Sequence, residues 1–216
     1  MIRTLVLAAV AVLLPLLSHA EAAAPYQEGK QYVRLDQPVR TRSPDKIEVV
    51  EVFWYGCPHC FHFEPLVNAW KKRLPADVDF WVSPVVWNDT TALHARAFYV
   101  AQALGVQAKM HQPLFEAITA QSNGYNNKSK LAALFTANGV DAAQFDKAFD
   151  AFGVTSQVNQ AKARTLSYKI DGTPELVVAG KYRVTGRGAG SQEEMLKVVD
   201  FLVAKERKER QAAKPQ

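Results

Sequence analysis

Two rhythms of hydrophobic positions run along this chain, and they change places twice. From Tyr32 to Leu35 a short β-rich run reads as a strand, and Thr41-Arg42-Ser43-Pro44-Asp45 reads as a turn into the near-continuous apolar run Ile47 to Trp54. Phe63, Leu66, Val67 and Trp70 then repeat at helical spacing in a helix extending to about Leu74, where Pro75 stops it. Val78 to Val86 is a second apolar run, as expected of a strand covered on both faces, and a strand-helix-strand unit makes the two strands parallel.

From about Trp87 only the helical rhythm remains. One stripe is Leu93, Ala97, Val100, Ala101 and Leu104; a second is Leu114, Phe115 and Ile118; a third is Leu131, Leu134 and Phe135, ended by Gly139. A fourth follows Asp141, whose spacing to Gln144 matches a capping box, with Phe145, Phe149 and Phe152 in register. Val158 to Tyr168 reads as a helix that returns the chain. Strands resume at Glu175 to Val178 and, after the turn Ala179-Gly180-Lys181, at Tyr182 to Val184. Ser191 to Glu194 forms a capping box ahead of the stripe Met195, Val198, Val199 and Leu202. The order is βαβ, an all-helical insertion, then ββα. The division expected is a signal peptide at 1–20, a mixed α/β domain at 21–86 and 156–216, and a helical insertion at 87–155.

The first residues stand outside that scheme. Arg3, the apolar stretch Leu5 to Leu17 and the small-x-small site Ser18-His19-Ala20 have the layout of a cleaved secretory signal, with a second possible cut near Ala24. Leu5 to Leu17 is too short to span about 30 Å of hydrocarbon, and Pro15 interrupts it. A soluble exported protein follows. Removing Arg3 lowers the net charge of +5 by one, and 48% hydrophobic residues argue against disorder. Much of the excess lies in the tail Lys205 to Lys214, where Glu206 and Glu209 are interleaved; this reads as a solvated helix end and gives no reason to expect nucleic acid.

Export gives the chain's only two cysteines, Cys57 and Cys60, their meaning. They sit in Cys57-Pro58-His59-Cys60, where the strand turns into the helix. At a helix N-terminus the unpaired backbone N–H groups and the positive end of the helix dipole favour a thiolate, the form that attacks disulfides. Positions i and i+3 are close enough for a disulfide. As a staple, however, a four-residue loop contributes on the order of 2 kcal/mol, against about 3 for fifteen residues. A stabilised thiolate would add about 1.4 kcal/mol to the reduced side per unit of pKa depression, turning the disulfide into an oxidant. Pro58 fits the first helical position, and His59 can offer hydrogen bonds or positive charge to the Cys57 sulfur. Glu51 shares a strand face with Val49 and Phe53; burial would raise its pKa and make it a proton donor or acceptor for Cys60, whereas Glu48 suits an exposed strand end. Zinc is the competing use of Cys57, Cys60, His59 and His62, but one helical turn cannot aim all four at a single point, so no metal is expected. His94 and His111 read as surface or satisfied histidines. An X–Pro bond is trans by default, and sequence alone assigns Thr173-Pro174 so.

The segment Glu51-Val52-Phe53-Trp54-Tyr55-Gly56-Cys57-Pro58-His59-Cys60, with Phe63-Glu64-Pro65 and the distant Gly172-Thr173-Pro174, resembles the DsbA-type thiol:disulfide interchange proteins, exported members of the thioredoxin-like fold. The likeness spans essentially the whole mature chain. It implies that Cys57 is the exposed nucleophile, Cys60 the buried resolving cysteine, and Thr173-Pro174 a cis-proline loop that faces the disulfide and binds substrate. It further implies a periplasmic oxidase of newly exported, thiol-containing polypeptides, reoxidised by a membrane quinone-linked partner of the DsbB type, with no metal or organic cofactor. No dimerisation module is visible, and a monomer is expected. Gly56 departs from the family pattern in having no aromatic ring before the first cysteine. The alternatives are an isomerase or reductase, or a non-catalytic exported metal- or peptide-binding protein.

Overall fold

The computed structural model describes residues 24–121 and 124–213, so the expected signal segment and the cut after Ala20 lie outside the described residues. A five-stranded sheet of order β1-β5-β4-β2-β3 organises the molecule: β1 Val33–Arg34, β2 Ile47–Phe53, β3 Val78–Pro84, β4 Glu175–Val178 and β5 Tyr182–Thr185. β2 and β3 pair in parallel around α1 (Pro58–Lys71), as the strand-helix-strand pattern requires. β4 pairs antiparallel to both β2 and β5. Every residue of β2 is buried, because helices or loops cover both of its faces.

Helices α2 (Asp89–Ala103), α3 (Gln107–Ala120), α4 (Lys128–Ala137), α5 (Ala142–Phe149) and α6 (Phe152–Ser167) lie between β3 and β4. Asp141 accepts the Gln144 backbone N–H, the cap its spacing predicts, and Asn88 and Asn127 cap α2 and α4 in the same way, each accepting a backbone N–H three residues on. The helical core, with Phe98, Phe115, Phe135 and Phe145, is continuous with Phe53, Tyr55, Cys57 and Cys60 of the sheet unit. A second core joins β2, β4 and β5 to α1 and, past the short helix α7 (Gly186–Ala189), to α8 (Gln192–Ala212) through Val49, Phe63, Trp70, Val178, Val184, Val198 and Leu202. The cysteines therefore sit where the helical layer meets the sheet.

Four expectations need correction. β3 is an edge strand, so Phe80, Trp81 and Val82 are only half-buried rather than covered on both faces. Phe152 is 86% exposed: α5 stops at Asp150, and Phe152 opens α6 instead of continuing the stripe of Phe145 and Phe149. α6 accordingly starts at Phe152 rather than near Val158, and runs to Ser167. Glu48 is buried, not exposed, because the segment before β2 folds back and Arg42 N–H donates to its Oε2 at 2.9 Å.

The β4–β5 hairpin turns with Ala179 at φ 53° and Gly180 at φ 63°. A Cβ on Gly180 would stand 2.0 Å from the Val39 carbonyl oxygen, so only glycine lets that strap pass. The basic tail is tied to the protein. Arg207 pairs with Asp77 at 2.6 Å, Lys181 with the buried Glu206 at 2.8 Å, and Arg210 donates to the Pro44 and Lys46 carbonyls. Among the described residues, no helix is long and apolar enough to cross a membrane.

Candidate active site

β2 ends at Phe53 and the chain turns through Trp54-Tyr55-Gly56, closed by Cys57 N–H donating to the Trp54 carbonyl at 3.0 Å. Cys57 is the N-cap of α1, with extended backbone, and Pro58 takes the first helical position, where no donor is missed. The Trp54 ring lies over Gly56 so closely that a Cβ there would stand 2.4 Å from Cζ2. The absent aromatic ring before the first cysteine thus has a local cause: Trp54 occupies its space. Trp54 Nε1–H in turn donates to His94 Nδ1 at 2.9 Å, and the other nitrogen of His94 lies 3.0 Å from the Tyr125 carbonyl. Burial lowers the pKa of His94, which favours this neutral bridging form.

Both cysteines are free thiols, Cys57 7% exposed and Cys60 fully buried. Cys57 is hence a sulfur seen through a narrow opening rather than an open one. Its Sγ accepts from the Cys60 backbone N–H at 3.4 Å, doing at this cap what a serine or aspartate oxygen usually does. As a thiol it donates to the Thr173 carbonyl oxygen 3.2 Å away. Its pKa is lowered to about 5. The Cys60 thiol is the largest cause; the Thr173 side chain and the N–H groups of Cys60 and His59 add to it, and burial opposes it. No acidic residue stands in the first turn of α1 to repel the charge. Cys60 moves the other way, well above its ordinary value, through burial, its bond to Cys57, the Cys57 charge and Glu51. One sulfur is built to hold charge and its neighbour to hold a proton.

Glu51 lies in the middle of β2, 1% exposed, and neither carboxyl oxygen has a hydrogen-bond partner among the described residues. Burial, then the Glu64 carboxylate, raise its pKa to about 8, with Lys71 opposing. At neutral pH it is mostly a carboxylic acid. A cleft of about 570 Å³ lined by Glu51, Glu64, Lys71 and His111 opens beside it. His111 Nε2 is 3.2 Å from Glu64 Oε1, and its Nδ1 is 2.9 Å from the Tyr55 hydroxyl. Burial and Glu64 push the Tyr55 phenol upward, so it stays protonated beside that imidazole.

The Thr173–Pro174 peptide is cis, against the default of sequence and in line with the family likeness. Glu175 braces this loop from behind: its Oε1 accepts the Gly172 N–H at 3.0 Å. Burial raises Glu175 to about 8, Arg183 opposing.

The fold thus gathers Glu51, Cys57, Pro58, Cys60, Thr173 and Pro174 around one helix end. His59 is the exception. Its imidazole is exposed, and its contribution to the Cys57 sulfur comes from the backbone N–H, because its position on the first turn directs the side chain outward. His62 is exposed as well, and among the described residues no group of three or more His, Cys, Asp or Glu converges on one point. Sequence reasoning assigned no role to Glu64, His111 or Glu175. Glu64 lies one helical turn past Cys60 in the quoted Phe63-Glu64-Pro65, which was the available signal; His111 and Glu175 reach their places only through long-range packing.

The model of the DSBA-like thioredoxin domain matches residues 75–200, beginning past the end of α1 and so leaving out the cysteine turn. Full-length relatives extend the likeness across that turn. The chain is 38% identical over 205 residues to the thiol:disulfide interchange protein DsbA of Pseudomonas aeruginosa, covering 95% of this chain and 97% of that one. It is 40% identical over 195 residues to the DsbA of Pseudomonas syringae pv. tomato, covering 90% and 91%. The crystal structure of Pseudomonas aeruginosa DsbA superimposes with a TM-score of 0.83 at 39% identity, covering 88% of this chain and 98% of the other. That of the oxidoreductase DsbA from Xylella fastidiosa gives 0.76 at 36% identity, covering 84% and 98%.

Proposed function

Because the chain belongs to the DsbA-like thioredoxin-domain family and is a thiol:disulfide oxidoreductase, we propose that it works in the oxidising direction, donating its Cys57–Cys60 disulfide to newly exported polypeptides in the periplasm. The observation that carries this reading is the asymmetry of the two sulfurs: Cys57 is pulled down to about 5 while Cys60 is pushed up. A leaving group that is stable as a thiolate makes the reduced protein the favoured product.

The reaction begins when a substrate thiolate attacks Cys57 Sγ of the disulfide. The Cys57–Cys60 bond breaks, a bond between Cys57 and the substrate forms, and Cys60 leaves with the electron pair. Glu51, protonated at neutral pH, supplies a proton to Cys60 directly or through water in the adjacent cleft. The substrate's second thiolate then attacks its own mixed-disulfide sulfur and Cys57 departs as a thiolate, held by Cys60 and by the N–H groups of the first turn. Two electrons pass from substrate to protein; the two substrate thiol protons are released to solvent, which returns one to Glu51 for the proton now on Cys60, while Cys57 stays a thiolate. The Thr173 backbone beside the sulfur pairs with an extended substrate segment, so main-chain bonds carry affinity while side-chain demands stay loose. Reoxidation falls to a membrane quinone-linked partner of the DsbB type, and the protein acts as a monomer.

A redox titration against glutathione tests the direction. A couple more oxidising than the glutathione pool supports a donor of disulfides; a couple as reducing as thioredoxin, near −270 mV, would make the protein a reductase.

A further inference from the structure

A groove of about 1160 Å³ leads away from His59, past Thr173 and Pro174, to Lys30 and Val33. Its far wall is the segment Thr185 to Gly190, which the redox chemistry leaves unused. Gly188 N–H donates to Thr185 Oγ1 at 3.0 Å, and Gly190, at φ 97°, turns the chain into α8. Gly188 also rests on the turn before β1: a Cβ there would stand 2.9 Å from the Lys30 carbonyl oxygen, so a side chain would push the segment off. Glycine at this point brings Arg187 and Lys30, far apart in sequence, to the rim of one groove.

Both side chains are exposed, and neither makes an ion pair or hydrogen bond among the described residues. The groove's acids do not cancel them. Asp171 is engaged with Arg183 at 3.4 Å, and Glu175, buried and raised to about 8, carries little charge at neutral pH. Val33, 44% exposed, offers an apolar contact in the same wall.

We propose that this groove selects polypeptide segments with acidic residues beside the reacting cysteine, Arg187 and Lys30 being the residues that set the preference. This rests on the reading of the protein as an oxidase of extended polypeptides. Charges on the rim of a binding surface act mainly on the association rate and are screened by salt, with a Debye length of about 8 Å at physiological ionic strength and about 3 Å at 1 M.

The test uses three dithiol peptides of one length and one cysteine spacing, flanked by Glu, Gln or Lys. Each is oxidised in single turnover by the oxidised protein, and each rate is divided by that of the same peptide with a small disulfide, which removes the effect of flanking charge on thiol reactivity. At low salt the normalised rate for the Glu peptide exceeds that for the Lys peptide by about tenfold, with Gln between them. The ratio approaches one in 1 M salt, and Arg187→Glu and Lys30→Glu each lower it several-fold. Equal normalised rates, or a ratio indifferent to salt and to both substitutions, would overturn the preference while leaving the oxidase reading intact. Failure to oxidise any of the three would bring down the oxidase reading and the preference with it. Should either variant unfold, the salt dependence of the unaltered protein still decides.

Discussion

Protonating Cys57 should reverse which redox form of the protein is the more stable. A group whose folded pKa is depressed contributes stability that is complete above its unfolded pKa and is lost as pH falls through the folded value. For Cys57 that window runs from about 9 down to about 5. Each unit within it is worth about 1.4 kcal/mol, so at pH 7 the reduced form gains roughly 2.7 kcal/mol, or about 2 after screening at a sulfur partly open to solvent. Against this, the four-residue disulfide loop favours the oxidised form by about 1.9 kcal/mol through the unfolded chain. The two forms should therefore be nearly equal between about pH 6 and 7. The reduced form leads by about 1.5 to 3 kcal/mol at pH 8.5 and trails by a similar amount at pH 5. Glu51 and Glu175 titrate in both forms and largely cancel in the difference. Denaturant unfolding of each redox form, taken at each pH under anaerobic conditions, measures this directly. A gap that stays constant from pH 5 to 8.5, or an oxidised form still the more stable at pH 8.5, would refute the thiolate account.

Other consequences follow from single contacts. Glu51→Gln should slow disulfide transfer because the amide cannot deliver a proton to Cys60; an unchanged rate would make Glu51 purely structural. The same substitution should stabilise the protein at pH 8.5 by about 3 to 5 kcal/mol, since a buried carboxyl raised to about 8 costs stability as pH rises from 4.5 to 8, and no gain in denaturant midpoint would contradict its burial as an acid. Gly56→Ala should cost about 1 to 3 kcal/mol and change the tryptophan fluorescence, because its Cβ collides with the Trp54 ring; a silent alanine would show that Trp54 is free to move.

What the sequence disclosed was whatever depends on near neighbours. The apolar run of β2, the cap at Cys57, Pro58 at the first helical position and the Ala179-Gly180 turn are all decided within a few residues. Glu51 was legible for the same reason: alternation along β2 placed it beside Val49 and Phe53. Glu48 was not, because what buries it is the returning segment around Arg42. Phe152 kept the spacing of its predecessors across a helix break, a case in which periodicity continues and structure does not. Trp81 and Phe80 gave no sign that β3 would lie at the sheet edge, since strand order is a property of the whole chain. The Glu64–His111–Tyr55 contacts and the Lys30–Arg187 rim join residues whose association only tertiary packing creates. His59 shows a further limit: the motif located the residue, but which of its atoms serves the sulfur depends on how the first turn is set.

The most direct measurement is the thiolate absorbance of the reduced protein in the far ultraviolet, followed from acid to alkaline pH, with a Cys57→Ser variant to identify the sulfur. One transition near pH 5, lost in the variant, is the predicted result, with Cys60 silent until well above pH 9. A single transition near 9 would leave Cys57 an ordinary thiol, and the disulfide would have no reason to leave this protein for another.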